Sequence, residues 1–221
     1  MRRILLGAAA LGTVLVAAPA SAPARTVDQQ QTSSTNNAAL TSDQSIAQTF
    51  TAGMSGVLDQ ADLVLSTFGS PPASVTVEIR DTSAGAPGTA VLGTATIPTS
   101  SIAATKAFVP ALFPTPVPIS AGTKYAIVAY SPGTSPNDVG AWYQNPPSVY
   151  AGGSGFYTMT SSPPGAPWID QMGDYAFRTY VAPAPPPAST GQRAAALKKC
   201  QKRHSARARR KCRRKAKQLP L

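Results

Sequence analysis

Thr123-Lys124-Tyr125-Ala126-Ile127-Val128-Ala129-Tyr130-Ser131 is the stretch on which the fold turns. It follows one turn signal, Ser120-Ala121-Gly122, and runs into another, Ser131-Pro132-Gly133. Between them lie β-branched and aromatic residues with almost nothing polar. In an extended strand successive side chains alternate, so Tyr125, Ile127 and Ala129 point one way and Ala126, Val128 and Tyr130 the other. A strand apolar on both faces belongs in the middle of a layered β structure, not at its edge.

Working outward, the neighbours read as further strands. Ser74 to Asp81 alternates most clearly: Val75, Val77 and Ile79 are expected inward, Thr76, Glu78 and Arg80 toward water. Ser45 to Ala52, Leu58 to Phe68, Thr89 to Ile97, Val139 to Gln144, Phe156 to Thr160 and Tyr175 to Val181 are the other candidates. Ile102 to Ile119 is harder, because Phe108, Val109, Leu112 and Phe113 want burial while Pro110, Pro114, Pro116 and Pro118 cannot donate to a ladder. Prolines sit at edges or bulges, so Thr105–Phe113 reads as a strand interrupted at Pro110, followed by an extended edge piece. Short strands with no helical pattern between them argue an all-β, antiparallel sandwich over residues 44–182, with jelly-roll and immunoglobulin-like connectivities both open. Residues 25–43, rich in Gln, Ser, Thr and Asn, read as a polar lead-in carrying at most one edge strand.

The ends of the chain differ from this body. Met1-Arg2-Arg3 is a positive start, Ile4 to Ala18 an uncharged apolar run, and Ala18 to Ala24 a field of small residues. That order marks residues 1–24 as a secretory signal peptide, with cleavage expected after Ala20 or Ala24. The apolar run is too short to favour a retained membrane anchor, the alternative reading. Residues 183–191, with Pro183, Pro185, Pro186 and Pro187, form a semi-rigid linker. Charge is divided sharply. Residues 26–183 hold Arg80, Lys106, Lys124 and Arg178 against nine acids, a net charge of −5. Residues 184–221 hold thirteen basic residues and no acid.

Both cysteines, Cys200 and Cys212, lie in this tail. Export favours a disulfide. On one continuous helix the pair would stand ~18 Å apart, far beyond the ~7 Å limit for a bridge. Pairing therefore requires a reversal, and His204-Ser205 offers one, with Ser205 placed to cap a second helix. The expectation is a helical hairpin, Gly191–Arg203 and Ser205–Gln218, stapled by Cys200–Cys212. A single long helix with free or intermolecular thiols is the alternative. Cys200, Cys212 and His204 are too few for a zinc site.

The basic run is the strongest functional signal. Lys198, Lys199, Lys202, Arg203, Arg207, Arg209, Arg210, Lys211, Arg213, Arg214, Lys215 and Lys217 are the candidate anion-binding residues. Each cation near an anionic surface contributes about 1 kcal/mol. The expected partners are anionic cell-envelope polymers or acidic polysaccharides. Nucleic acid satisfies the same electrostatics but ranks second for an exported protein. A solvated tail without a partner is the plain alternative.

Aromatic residues crowd between positions 142 and 175. Trp142, Tyr143, Tyr150 and Trp168 are candidate glycan platforms, since sugar C–H faces pack on flat rings; the competing reading puts most of these rings in the core. Catalysis finds little support. The only His is in the tail, which excludes a Ser-His-Asp arrangement within the body. Paired carboxylates would have to come from Asp138, Asp170 and Asp174, and Asp170 and Asp174 flank Met172-Gly173 as in a turn, or at best a loop calcium site. No cofactor, metal ligand set or catalytic residue is expected.

Gln44-Ser45-Ile46-Ala47-Gln48-Thr49-Phe50-Thr51-Ala52-Gly53, Val75-Thr76-Val77-Glu78-Ile79-Arg80, the Gly85-Ala86-Pro87-Gly88 turn, Ala121-Gly122-Thr123-Lys124-Tyr125-Ala126-Ile127-Val128 and Asp174-Tyr175-Ala176-Phe177-Arg178-Thr179-Tyr180 together resemble the secreted bacterial β-sandwich modules of the choice-of-anchor R type. The resemblance implies a jelly-roll sandwich beside a surface-anchoring tail, without catalytic residues. The tail itself is similar to Lys/Arg/Cys-rich ends of exported proteins in some high-GC Gram-positive bacteria. The expected function is non-catalytic binding or display outside the cell, at its surface, with the tail as electrostatic tether. A carbohydrate-binding accessory module or weak polysaccharide-acting enzyme is the alternative.

Overall fold

The computed structural model describes residues 24–132, 140–159, 167–184 and 191–219. The leader, most of the Pro-rich linker and Asp138 lie outside the described residues. The first strands are β1 (Thr26–Gln31), β2 (Asn36–Leu40), β3 (Gln44–Thr51), β4 (Gly56–Thr67) and β5 (Ser74–Ser83). Next come β6 (Ala86–Pro98), β7 (Ala107–Ile119), β8 (Lys124–Tyr130) and β9 (Gly140–Asn145). β10 (Gly155–Met159), β11 (Ile169–Asp170), β12 (Asp174–Tyr175) and β13 (Phe177–Ala182) complete the body, and helices α1 (Gln192–Gln201) and α2 (Ala206–Ala216) follow.

The strands form two antiparallel sheets. A seven-stranded sheet runs β1-β13-β4-β9-β12, with β7 also paired to β4 and β2 to β9. A six-stranded sheet runs β11-β10-β3-β8-β5-β6. The expectation of an all-β antiparallel sandwich holds. The opening stretch is β8, and it lies inside its sheet between β3 and β5 with Tyr125 through Ala129 all buried. Tyr125, Ile127 and Ala129 join the main core, and Ala126 and Val128 belong to a second, smaller cluster on the sheet's other side.

The core lies between the sheets. Val75, Val77 and Ile79 of β5 are wholly buried, as their alternation predicts. Each fully buried aliphatic side chain of this kind contributes about 1.5–3 kcal/mol. Rings fill the wider spaces: Trp142 on Tyr175 at 4.8 Å between centroids, and Phe50 against both Tyr125 at 5.9 Å and Phe177 at 6.1 Å.

Three features differ from the sequence reading. The polar lead-in contributes two strands rather than one: β1 pairs with β13 and β2 with β9, and Leu40 at the end of β2 is wholly buried. Glu78 points outward as expected but is only 7% exposed, because Tyr130 and Arg80 close over it. The Pro-rich stretch is one strand, β7, paired along β4 from Ala107 to Ile119. Leu58 pairs with Val117 and Gln60 with Leu112, so residues 113–116 bow out opposite a single residue of β4. Pro110, Pro114, Pro116 and Pro118 are all exposed, on a strand laddered to β4 alone, where prolines are tolerated. Beside β7 runs β6, the last strand of the other sheet; a Cβ on Gly93 of β6 would collide with Val117 Cγ2. The two sheets close upon each other there.

The helices form the expected hairpin. Cys200 and Cys212 are disulfide-bonded with Cα atoms 5.5 Å apart. Ser205 caps α2, its Oγ accepting the Ala208 N–H at 3.2 Å. At the far end the Arg193 guanidinium donates to the Lys217 carbonyl, which ties the start of α1 to the end of α2. A cation at a helix C-terminus is favoured by the exposed carbonyls and the dipole. No described helix is long and apolar enough to cross a membrane.

Candidate functional site

The hairpin sorts its residues by helical spacing. Ala208, Cys212 and Ala216 recur every four positions on α2 and form the seam toward α1. Arg207, Arg210, Arg214 and Lys217 lie on the opposite side, and Arg209 and Arg213 flank them. All twelve candidate anion-binding residues, from Lys198 to Lys217, are exposed. The thirteenth cation, Arg193, is half-buried and occupied with Lys217. Among the described residues the ion pairs are Arg25–Asp59 at 3.1 Å and Arg80–Glu78 at 2.6 Å, and neither uses a cation of the hairpin. Helices of ten and eleven residues are marginal alone in water, and like charges along them add repulsion. The disulfide holds the two together and concentrates the charge on one small element.

The aromatic candidates separate. Trp142 is wholly buried, its ring on Tyr175 and its Nε1 donating to the Ala176 carbonyl at 2.9 Å. It offers no ring face to a ligand, and the glycan-platform expectation is corrected for this residue. Residue 142 shares its face of β9 with the core-facing positions, and the pairing of Trp142 with Leu65 of β4 carries it inward.

Tyr150 staples its loop onto the core. Its ring meets Phe177 edge-on at 5.3 Å and its hydroxyl donates to Gln29 Oε1 at 2.7 Å. Burial first, with the charges of Asp28 and Asp174 adding, pushes its phenol up to about 12. Tyr143 faces outward on the seven-stranded sheet, 3.1 Å from Ser66 Oγ through its hydroxyl, with the Lys106 ammonium 5.4 Å from its ring centre. Trp168 is half-buried on the outer side of the six-stranded sheet and packs with Phe156 and Tyr130 over Ala47, Ala126 and Val128.

The sequence reading did not single out two clusters. On the six-stranded sheet Glu78 accepts from the Tyr130 hydroxyl at 3.0 Å and from Arg80 Nε at 2.7 Å. On the seven-stranded sheet the Arg178 guanidinium lies 3.8 Å from the Phe108 ring centre. Beside it the Tyr180 hydroxyl donates to Asp62 Oδ2 at 2.7 Å, and that bond, with partial burial, holds the phenol above its ordinary range. Alternation places these residues outward, but only strand order brings them together.

Two of the candidate carboxylates, Asp170 and Asp174, hold backbone N–H groups. Asp174 is wholly buried and accepts the backbone N–H groups of Val149 at 2.6 Å and Tyr150 at 2.8 Å, and the Gln48 amide at 3.2 Å. Asp170 accepts the Met172 N–H at 2.7 Å, closing the turn its spacing suggests. No family model matches the chain, and no curated protein matches it in sequence.

Proposed function

We propose that this chain is an exported, non-catalytic β-sandwich module that binds or displays at the cell surface, and that its hairpin is an electrostatic tether to anionic envelope polymers. The observation that carries this reading is the hairpin itself: twelve exposed cations and no acid on one disulfide-closed element, beside a body of net negative charge. At about 1 kcal/mol for each cation near an anionic surface, a fraction of them suffices for retention at low salt. The placement of the sandwich among choice-of-anchor modules of jelly-roll type belongs to the same proposal; the two-sheet body supports it.

Deleting residues 191–221 is expected to release the protein from isolated cell envelopes, and raising salt is expected to do the same to the intact chain. Retention of the truncated protein at full strength defeats the reading. A second reading, a carbohydrate-binding module, is favoured by the grouping of Trp168, Phe156 and Tyr130 on one outer face. Glycan binding that is lost in Trp168→Ala supports it, and turnover of a polysaccharide favours the enzyme alternative.

A further inference from the structure

An electrostatic tether needs only charge, yet the hairpin is also hollowed. Between α1 and α2 opens a groove of about 410 Å³. Its floor is Ala196, Ala208, Ala216, Leu219 and the Cys200–Cys212 bridge, and Arg203, Lys211 and Lys215 stand at its rim. The volume falls within the ~300–1,000 Å³ of small-molecule sites. Leu219 is 39% exposed at one end, in a segment otherwise dominated by cations.

We propose that this groove seats the acyl region of an anionic phospholipid, with the phosphate held by Arg203, Lys211 and Lys215, so that the hairpin docks on a bilayer surface. The inference rests on the tether reading and names the source of the negative charge. Charge complementarity selects the occupant. Three rim cations without a described acid partner call for an anion, and an apolar floor calls for hydrocarbon joined to it. A soluble polyanion satisfies the rim but leaves Leu219 and the accessible parts of Ala196 and Ala208 in water. A second hairpin brings thirteen more positive charges to the same place and is repelled, and the body of a second copy, at net −5, carries far less charge per surface than an anionic bilayer.

The experiment uses the full oxidised chain, with phosphatidylglycerol–phosphatidylcholine vesicles and soluble polyphosphate as separate probes. The double substitution Ala196→Gln with Ala208→Gln fills the groove with polar, helix-compatible side chains and leaves the charge unchanged. It is expected to weaken vesicle binding about tenfold, the effect of losing burial of one or two methylenes, and to leave polyphosphate binding intact. Leu219→Trp in the wild-type background is expected to shift its emission to the blue on vesicles and to be quenched by acyl-brominated lipid. Unchanged vesicle affinity in the filled variant, or a bound Leu219→Trp protein with neither shift nor quenching, overturns the proposal. Should the filled variant lose both ligands through unfolding, the Leu219→Trp result decides alone. Binding to polyphosphate without binding to vesicles overturns the lipid site and spares the tether, whereas binding to neither defeats both. A dimer that the filled variant dissociates assigns the groove to a second copy and likewise overturns the proposal.

Discussion

Asp174 accepts the backbone N–H of Tyr150 at 2.8 Å from a position with no solvent exposure. The same carboxylate holds the Val149 N–H, so one side chain fixes the entry of the loop that carries the Tyr150 ring onto Phe177. Asp174→Ala leaves those donors and Gln48 without their acceptor. The expected loss is about 3–5 kcal/mol, because charged hydrogen bonds are worth more than neutral ones and the orphaned groups stay partly buried. Asp174→Asn retains one acceptor oxygen and is expected to lose less. Urea denaturation of the three proteins checks the order.

Alkaline stability follows from two phenols. Burial raises Tyr150 from 10.0 to about 12 and raises Tyr175 further, the latter through burial alone. Both hold their protons more tightly folded than unfolded, so their contribution is complete below pH 10 and is withdrawn as the pH climbs from 10 toward 12. Absorbance at 295 nm is expected to show these two tyrosines ionising only as the body unfolds. Their titration at pH 10 in a folded protein contradicts the packing described.

The two tryptophans are expected to respond oppositely to truncation. Trp142→Ala empties the centre of the core and takes from the Ala176 carbonyl one of its two donors, the Val64 N–H remaining, an expected loss of about 3–5 kcal/mol. Trp168→Ala removes a half-buried outer ring and is expected to cost about 1 kcal/mol. Thermal melts of both variants test the contrast, and comparable losses would place Trp168 in a core it does not occupy.

Reducing Cys200–Cys212 is expected to destabilise the hairpin by about 3 kcal/mol, since it removes a crosslink spanning 12 positions. The helices should lose their circular dichroism signal at 222 nm while the β body keeps its thermal midpoint. Helices that persist after reduction would mean that the seam of alanines suffices alone.

Local signals were the legible ones. The alternation of β5, the two-faced apolarity of β8, the Ser205 cap and the reversal between the cysteines each depend on a few adjacent residues, and each stands where the pattern put it. The Trp142 and Trp168 environments depend on register between distant strands, which no short window contains. Trp142 is carried inward by β4, and Trp168 is laid over Val128 from another part of the chain. Glu78 shows the same limit: its outward direction was readable, and its cover by Tyr130 from the neighbouring strand was not. Only one of the two lead-in strands was allowed for because Gln and Asn carry weak β signals, and pairing with β13 and β9 supplies what propensity lacks. The groove between α1 and α2 was unreadable until the helices were docked.

The four outward prolines of β7 bear on how densely such bodies can crowd. A foreign strand would find β6 already alongside and, at four positions, no amide hydrogen to accept, so this margin is a poor template for another molecule. Strand-by-strand growth of an aggregate finds no foothold along this margin.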